Sequence, residues 1–353
     1  MAAPAAPPAP AQEPAQPQAP PAQAQTPAPA DRDYSQSANL MGTVIRVTVA
    51  GATKQQAGPA IDAAFAEIKR LEELLSEWIP TSEISRINAA AGEDAVSVSG
   101  ETIDVIEAAN AISRWSAGAF DLSWAALRGM YLFQPGNQTV PELSAVRARL
   151  KLIDYRKIQV DVEAGTVKLA KKGMVLGTGG IAKGYALDKA ADVLRKAGFP
   201  NFMIFGGGQI ELSGTRHGRP WRVGIQHPRM NDYFGFVEAQ DGSVATAGDY
   251  EHSFVKDGKR WHHIIDTKTG LPVPHTASVT VVADSGLAAD AIDTAIFILG
   301  AKRALKLMKT APFPAEAVIV DSDMRIHMTP GMEKRLVMRA QLTDGKLPMP
   351  PSQ

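Results

Sequence analysis

One stretch decides how the rest of this chain is organised, and it reads Val175-Leu176-Gly177-Thr178-Gly179-Gly180-Ile181-Ala182-Lys183-Gly184-Tyr185-Ala186. A β-prone run that begins at Met174 leads into three glycines, and apolar residues with helical spacing follow until Gly198. The pattern predicts a strand, a tight turn and a helix. Because glycine has no Cβ, the backbone of such a turn can approach a ligand closely, and the first N–H groups of the helix face it.

The turn is suited to phosphate. Lys183 lies in the first turn of the predicted helix and adds an ammonium group to the main-chain donors. A Walker loop is excluded, because Ala182 precedes the lysine and Gly184 follows it. Gly177-x-Gly179-x-x-Ala182 fits a dinucleotide fingerprint formally, but the acidic residue expected about 20 positions later is missing. A connection that merely packs tightly is the structural alternative.

The composition is that of a globular protein with balanced charge. Its 353 residues include 37 basic and 37 acidic ones, and 45% are hydrophobic. This balance indicates neither nucleic acid nor an anionic membrane as a partner. No run approaches the roughly 18 apolar residues of a transmembrane segment. The absence of cysteine excludes disulfides and thiolate metal sites, and it is compatible with an oxidising compartment.

Ala, Pro and Gln dominate the N-terminal region, which predicts a disordered, extended tether over residues 1–37. Residues 38–340 are expected to form a single domain, with two lobes as a variant, and residues 341–353 a flexible tail. A tether of this composition is typical of what remains after an export signal is removed. We therefore expect a periplasmic or otherwise exported bacterial protein, with a cytoplasmic location as the alternative.

Apolar periodicity indicates the fold class. Helical spacing predicts helices over residues 61–78, 82–88, 102–116 and 286–299. Alternation predicts a strand over residues 44–49 and hairpins that turn at residues 163–165 and 256–258. Hairpins between helices favour an α+β fold with mixed sheets over a doubly wound parallel fold. Trp78, at the end of the first helix, fits a core position as well as a ligand contact.

Asp290, Asp293 and Thr294 lie within about one turn of the otherwise apolar helix predicted over residues 286–299. Residues three and four apart share a helix face, so these side chains lie close together. A carboxylate in an apolar helix is costly unless it is paired or binds metal. Two carboxylates and a hydroxyl suit magnesium, and capping of the helix dipole is the alternative interpretation.

Nine short motifs follow one another along the chain. They are Met41-Gly42-Thr43, SEISRIN at 82–88, GAFD at 118–121, GGIAKGYALD at 179–188, GGG at 206–208, WRVGI at 221–225, ATAGDY at 245–250, HIID at 263–266 and ADAIDTA at 289–295. In order and spacing they resemble those of the FAD:protein FMN transferase (ApbE-type) family, over about residues 41 to 330.

The resemblance implies an ApbE-like, T-fold-related architecture and a magnesium-dependent enzyme that splits FAD at its pyrophosphate. FMN would pass through a phosphoester to a threonine or serine of an acceptor flavoprotein, and AMP would leave. The Mg²⁺ ligands that it implies are the Gly180 carbonyl, Asp290, Asp293 and Thr294. The FAD contacts that it implies are Met41, Trp78, Ala119, Phe120, Asp121, Gly177, Lys183 and Ile264. His263 would be the general base, and Lys183 would clamp the pyrophosphate.

One departure from the family concerns Gly177, where the family usually has an aspartate that helps to hold FAD. Restoring it with Gly177→Asp is expected to tighten FAD binding.

Two other functions use the same residues: hydrolysis of FAD to FMN and AMP, and FAD binding without turnover. Neighbours on a strand face opposite sides, so only one of His262 and His263 should reach the cleft. A hydrogen-bonded strand residue is the alternative role for His263.

Overall fold

Helices and antiparallel strands make up the part of the chain that the structure, a computed structural model, describes, which is residues 32–350. The helices are α1 (Lys54–Leu75), α2 (Glu83–Ala89), α3 (Gly100–Trp115), α4 (Leu143–Leu150), α5 (Ala182–Lys196), α6 (Gly286–Leu299), α7 (Ala301–Leu307) and α8 (Pro330–Arg335). The strands are β1 (Tyr34–Leu40), β2 (Thr43–Val49), β3 (Val96–Ser97), β4 (Ile158–Asp161), β5 (Thr166–Leu169), β6 (Phe202–Gly206), β7 (Gln209–Ser213), β8 (Trp221–Gln226), β9 (Tyr233–Ala239), β10 (Gly242–Gly248), β11 (Ser253–Lys256), β12 (Lys259–His262), β13 (Thr276–Ala283), β14 (Ala315–Asp321), β15 (Ile326–Met328) and β16 (Leu336–Met338). Across these residues, no helix combines the length and hydropathy needed to cross a bilayer.

The central sheet has eight strands in the order β1-β2-β6-β7-β10-β13-β14-β15. Three smaller sheets have the orders β16-β9-β8, β3-β5-β4 and β11-β12. The predicted α+β class is confirmed. Every pair of these strands is antiparallel. The described sheets are therefore antiparallel and not mixed, since a mixed sheet also contains parallel pairs.

Both faces of the central sheet are covered. On one face, α1, α5 and α6 pack in the larger core, to which Val279 and Val281 of β13 belong. On the other face, Val282 of the same strand packs in a smaller core with Trp221 and Val223 of β8. A strand between two layers is buried along its whole length, as β13 is. The packing of α5 against α6 on the first face is what assembles the site described below.

Helix α6 has the bounds that the sequence predicts. The Ser285 hydroxyl accepts a hydrogen bond from the Ala288 N–H (3.2 Å) and begins the helix, and Gly300, with a φ of 72°, ends it. The helix is buried on nearly all sides, which explains its apolar sequence. Asp290 and Asp293 are nonetheless 5% and 4% exposed, so both carboxylates lie inside the protein.

Two predicted boundaries differ from those of the structure. Strand β1 begins at Tyr34 and pairs with β2 through a turn at Met41 and Gly42, whose φ angles of 51° and 72° suit a two-residue hairpin. Folded structure therefore begins within the predicted tether; the rest of that prediction, residues 1–31, lies outside the described residues. In the predicted tail, Leu347 is buried and its N–H donates to the Met324 carbonyl (2.8 Å).

The run before the central turn does not form the predicted strand. The side chain of Asn88 in α2 takes the place of a neighbouring strand, because it accepts from the Leu176 N–H (2.6 Å) and donates to the Leu176 carbonyl (3.0 Å). The Gly177 N–H then donates to the Leu122 carbonyl (2.8 Å). Residues 177–180, called the glycine turn from here on, are thus held by partners from distant parts of the chain.

Candidate active site

A cavity of about 490 Å³ lies between the glycine turn, α6 and the two segments that flank the β11–β12 hairpin, residues 251–252 and 263–265. Its lining includes every residue that the sequence analysis assigned to FAD, metal or catalysis, except Met41. Those residues are Trp78, Ala119, Phe120, Asp121, Gly177, Gly180, Lys183, His263, Ile264, Asp290, Asp293 and Thr294. The volume is in the range of pockets that bind small molecules and cofactors.

Met41 does not line the cavity. It lies in the turn between β1 and β2, where it is half-buried and packs against the larger core. Its neighbour Thr43 approaches the glycine triplet, because a Cβ added to Gly207 would lie 2.8 Å from the Thr43 hydroxyl oxygen. Gly207 itself lines the cavity. The β1–β2 turn thus borders the site, and the predicted contact of Met41 with FAD is not part of the cavity wall.

Helices α5 and α6 are joined at their N-terminal ends by reciprocal hydrogen bonds. Asp188 of α5 accepts from the N–H groups of Gly286 (2.5 Å) and Leu287 (3.0 Å) of α6. Asp290 of α6 accepts from the N–H of Gly184 of α5 (3.0 Å). A Cβ on Gly184 or Gly286 would collide with the backbone of the other helix, so both glycines are needed for this approach. We call this arrangement the α5–α6 lock.

The lock brings Lys183, the residue predicted to bind phosphate, close to α6, the helix that carries the predicted metal ligands. The Lys183 Nζ lies 3.5 Å from the Asp290 Oδ1, and both side chains are largely buried. The residue before α5, Ile181, gives no side-chain cap, and the first turn of the helix contains no acidic residue, so Asp290 of α6 supplies the carboxylate at this N-terminus. An ammonium, the positive end of a helix dipole and two carboxylates therefore converge at one end of the cavity.

Asp293 and Thr294 extend this cluster. Burial and the negative charge of Asp290 raise the pKa of Asp293 well above its usual range, although Lys183 opposes the effect. The Thr294 hydroxyl donates to the Asp293 Oδ1 (3.0 Å). A Cβ on Gly180 would lie 3.5 Å from the Thr294 hydroxyl oxygen, so the glycine turn adjoins the same helix. The predicted metal ligands are thus neighbours in space.

Of the two adjacent histidines, His263 lines the cavity. His262 is buried, and its Nε2 lies 2.9 Å from the Val273 carbonyl. Enclosure by protein, together with the charges of His252 and His262, lowers the pKa of His263 to about 3. Its Nδ1 is buried and has no hydrogen-bond partner within residues 32–350. The ring of His252 lies edge-on to it, with the centroids 5.4 Å apart.

Asp121 supports the cavity wall. Its Oδ1 accepts from the N–H (2.8 Å) and hydroxyl (2.6 Å) of Ser123, and its Oδ2 accepts from the N–H of Tyr155 (2.8 Å). Burial raises the pKa of Asp121, and these hydrogen bonds oppose that effect. Because three donors already occupy its oxygens, Asp121 holds the loop that presents Phe120. That ring lies 3.3 Å from the position of a Cβ on Gly180.

Comparison with known proteins decides the family. The model of the ApbE family matches residues 41–319. The chain belongs to the ApbE family. The FAD:protein FMN transferase of Klebsiella pneumoniae is 34% identical over 276 residues, which are 77% of this chain and 84% of that protein. The transferase of the same name from Treponema pallidum is 31% identical, over 86% of this chain and 89% of its own length. These relatives are enzymes, and this protein is a member of their family.

Solved structures agree. The ApbE protein of Thermotoga maritima matches with a TM-score of 0.79 and 31% identity, over 86% of this chain and 99% of that one. The flavin transferase ApbE of Vibrio cholerae matches with a TM-score of 0.75 and 26% identity, over the same shares. The architecture of this ApbE-family protein is therefore the one that the resemblance implied.

The ApbE-family cavity has an aromatic end that the sequence revealed only in part. Trp78 lies beyond the end of α1 and is 72% exposed, so a core position is excluded. The Arg128 guanidinium stacks on its ring, 4.7 Å from the centroid. Trp124 also lines the cavity, and sequence reasoning missed it. No periodic pattern marks Trp124; its only signal is its position three residues after Asp121, within the segment that Asp121 anchors.

The expectation that Gly177→Asp would improve this ApbE-family site is not supported by the packing. A Cβ on Gly177 would lie 2.8 Å from the Ala125 Cβ, 3.0 Å from the Trp124 Nε1 and 3.2 Å from the Glu77 Oε1. The first of these distances is shorter than a carbon–carbon contact allows. A side chain at this position therefore requires a movement of the wall. The space that an aspartate would take is occupied, and one of its occupants is a carboxylate.

Proposed function

We propose that this enzyme transfers FMN from FAD to a threonine or serine hydroxyl of an acceptor flavoprotein. The hydroxyl oxygen attacks the FMN phosphorus, the bond from that phosphorus to the AMP oxygen breaks, and AMP leaves. The hydroxyl proton passes to a base on the enzyme. One observation carries the proposal: the α5–α6 lock gathers Lys183 and the two buried aspartates of α6 at the end of a cofactor-sized cavity. The name shared by the relatives supports it.

The residues present fit a divalent cation. Asp290 and Asp293 are both buried, and burial together with the negative charge of Asp290 raises the pKa of Asp293. A cation offsets that negative charge, and oxygen ligands of this kind suit Mg²⁺. No group of three or more His, Asp or Glu side chains suited to a metal occurs within residues 32–350, so the Gly180 carbonyl and the Thr294 hydroxyl would complete the protein ligands of Asp290 and Asp293. Bound Mg²⁺ would supply charge neutralisation on the pyrophosphate oxygens.

Lys183 and the N-terminus of α5 bind the pyrophosphate in this proposal. The dipole and the ammonium both favour negative charge at the glycine turn. In phosphoryl-type transfer, positioning and charge stabilisation account for most of the catalysis. The lock holds Asp290 beside Lys183, so the ammonium is already placed at the end of the cavity where the pyrophosphate would bind.

His263 accepts the hydroxyl proton. Its pKa of about 3 keeps the imidazole neutral at physiological pH, which is the form that can accept a proton. A base with so low a pKa is weak, but the negative charge of a bound pyrophosphate raises the pKa of a nearby imidazole.

The test is an assay with FAD, Mg²⁺ and a purified acceptor flavoprotein, in which the acceptor is denatured and its flavin fluorescence is read while AMP is measured. The expected result is fluorescence on the acceptor in proportion to AMP. An acceptor whose target threonine is replaced by valine is the matched control and should stay dark. AMP with free FMN and a dark acceptor would instead indicate hydrolysis, and FAD binding without AMP a protein that does not turn over.

A further inference from the structure

Glu77 is a carboxylate beside the cavity to which no role has yet been given. It lies in the loop between α1 and α2, next to Trp78, and is half-buried. Its carbonyl accepts a hydrogen bond from the Arg128 guanidinium (3.1 Å), the same group that stacks on Trp78. Within residues 32–350, the Glu77 carboxylate forms no ion pair, so its oxygens are available to other donors.

Those donors come from the glycine turn. The Glu77 Oε2 accepts from the Thr178 N–H (3.0 Å) and lies 3.0 Å from the Thr178 hydroxyl oxygen. The hydroxyl also lies 2.7 Å from the Leu75 carbonyl, at the end of α1. Thr178 is 1% exposed, so in the folded protein its N–H depends on the Glu77 carboxylate for an acceptor. A buried N–H without an acceptor is costly, and Glu77 is therefore required for this backbone conformation.

Thr178 in turn fixes the start of α5. Its carbonyl accepts from the N–H groups of Ile181 (3.0 Å) and Ala182 (2.9 Å), which form the first turn before Lys183. A series of hydrogen bonds thus runs from Glu77 through Thr178 to Ala182, the residue before Lys183. Gly180, where an added Cβ would lie 3.5 Å from the Thr294 hydroxyl oxygen, lies between the two ends of that series.

Glu77 also fills the space beside Gly177. The Glu77 Oε1 lies 3.2 Å from where a Cβ at Gly177 would be, so the carboxylate closes the wall at a position that has no side chain of its own. The carboxylate and the glycine are complementary: without a Cβ at residue 177 the carboxylate can approach Thr178, and without the carboxylate the turn would lose both its acceptor and its packing.

We propose that Glu77 is a positioning residue that holds the glycine turn in its FAD-binding conformation through Thr178. The inference rests on the proposed function, because FAD is the ligand whose affinity should depend on the turn. Glu77 acts by accepting hydrogen bonds, so a glutamine, which keeps a carbonyl oxygen at the same place, should replace it and an alanine should not.

The experiment measures the dissociation constant for FAD by quenching of flavin fluorescence, together with kcat and KM for FMN transfer and the melting temperature. For Glu77→Ala we expect the dissociation constant and KM for FAD to rise about tenfold or more, the effect of leaving the Thr178 N–H without its acceptor, while the melting temperature falls by only a few degrees. Glu77→Gln should stay within about threefold of the wild type. Glu73→Ala, which removes an exposed carboxylate one turn earlier, is the matched control and should change neither constant.

Two outcomes would overturn the proposal: an FAD affinity of Glu77→Ala within twofold of the wild type, or an affinity of Glu77→Gln as weak as that of the alanine variant. A general loss of folded protein would lower kcat and the melting temperature and leave KM unchanged, which would also contradict it. The wild type is measured in parallel. If it fails to bind FAD, the proposed function fails; if it binds and transfers normally and Glu77→Ala does the same, only this inference fails.

Discussion

The α5–α6 lock and the segments that flank the β11–β12 hairpin both border one cavity but are held in different ways. The lock joins two buried helices by reciprocal carboxylate to N–H bonds across a contact between two glycines. The hairpin is a two-stranded sheet of its own, in which Val255 is 63% exposed, and exposed His252 lies just before its first strand. A firmly held region suits a ligand that never changes, such as a pyrophosphate, and a less constrained one suits a protein acceptor.

The largest expected effect comes from removing the carboxylate of the lock that faces Lys183. Asp290→Ala should lower FMN transfer by about a thousandfold or more, because it removes a proposed metal ligand and the acceptor of the Gly184 N–H. AMP release measured against Mg²⁺ concentration checks this. Asp284→Ala, which removes an exposed carboxylate just before α6, is the control and should keep full activity. Unchanged AMP production in Asp290→Ala would exclude that residue from the site.

The second prediction concerns the histidine side of the cavity. His263→Ala should lower transfer by about a hundredfold or more, the usual contribution of a general base, and leave the FAD dissociation constant near that of the wild type. Measuring the rate of FMN transfer and the FAD dissociation constant in both His263→Ala and Asp290→Ala sharpens the comparison between the two sides of the cavity. If the loss at His263 is in FAD binding and turnover of bound FAD is normal, His263 is a binding residue and not the base.

The third prediction tests the lock through its pH dependence. Burial raises the pKa of Asp188 to about 6, whereas an unfolded aspartate has a pKa near 3.8. The folded state therefore binds the proton more tightly, so stability from this group is fully present below the unfolded pKa and is lost as pH rises to about 6. The difference corresponds to at most about 3 kcal/mol.

Urea unfolding at pH 4 and pH 6.5 measures that difference, with Asp188→Asn as the reference because asparagine does not titrate. The wild type should lose stability relative to Asp188→Asn as the pH rises over this interval. An equal change in both proteins would mean that Asp188 does not titrate differently in the folded state, and the electrostatic account of the lock would need revision.

A smaller effect is expected at the glycine turn. Gly177→Asp should destabilise the protein by about 1 to 3 kcal/mol, because the wall at this point is full, and it should weaken FAD binding. Thermal unfolding and flavin fluorescence measure the two effects. Gly100→Ala is the control, since a Cβ there has no atom within 4 Å. Tighter FAD binding in Gly177→Asp would restore the expectation from family resemblance and contradict the packing argument.

The smallest effect concerns pH and catalysis. Because the pKa of His263 is about 3 in the free enzyme, kcat/KM should show no decline from His263 protonation as pH falls from 8 to 5. The profile of kcat reports the bound state, in which the pyrophosphate raises that pKa, so an acid limb should appear there at higher pH. Measuring kcat and kcat/KM against pH for the wild type and for His263→Ala separates the acid limb due to His263 from limbs due to other groups. An acid limb near pH 6.5 in kcat/KM that His263→Ala removes would contradict the assignment.

The features that could be predicted from the sequence are those that depend on local sequence patterns or on the family motifs. The bounds of α6 follow from its serine cap, apolar run and terminal glycine, and the placing of Asp290 beside Lys183 follows from two motifs that the family resemblance relates. The prediction of a strand over residues 174–176 was wrong, because the Asn88 side chain, 88 positions away from Leu176, hydrogen-bonds to the Leu176 N–H in place of a neighbouring strand. Strand β1 was missed because its sequence is mostly polar and its partner follows a turn whose first residue is Met41.

The contacts of Glu77 and Trp124 could not be read from the sequence at all. Glu77 meets Thr178 across 101 positions, and Trp124 meets the glycine turn through a short helix anchored by Asp121. Neither contact has a periodic signature, since each depends on how the loop after α1 packs against the turn before α5. The same packing explains why a single departure from the family motif, at Gly177, was judged differently from sequence and from structure.

The most direct test of the central claim is a crystal structure of the enzyme soaked with FAD and Mg²⁺. The expected result is a pyrophosphate that lies between the Lys183 ammonium and the Asp290 carboxylate, at the N-terminus of α5, with the rest of FAD extending along the cavity. A structure in which FAD occupies the cavity with its pyrophosphate away from both residues would contradict the account.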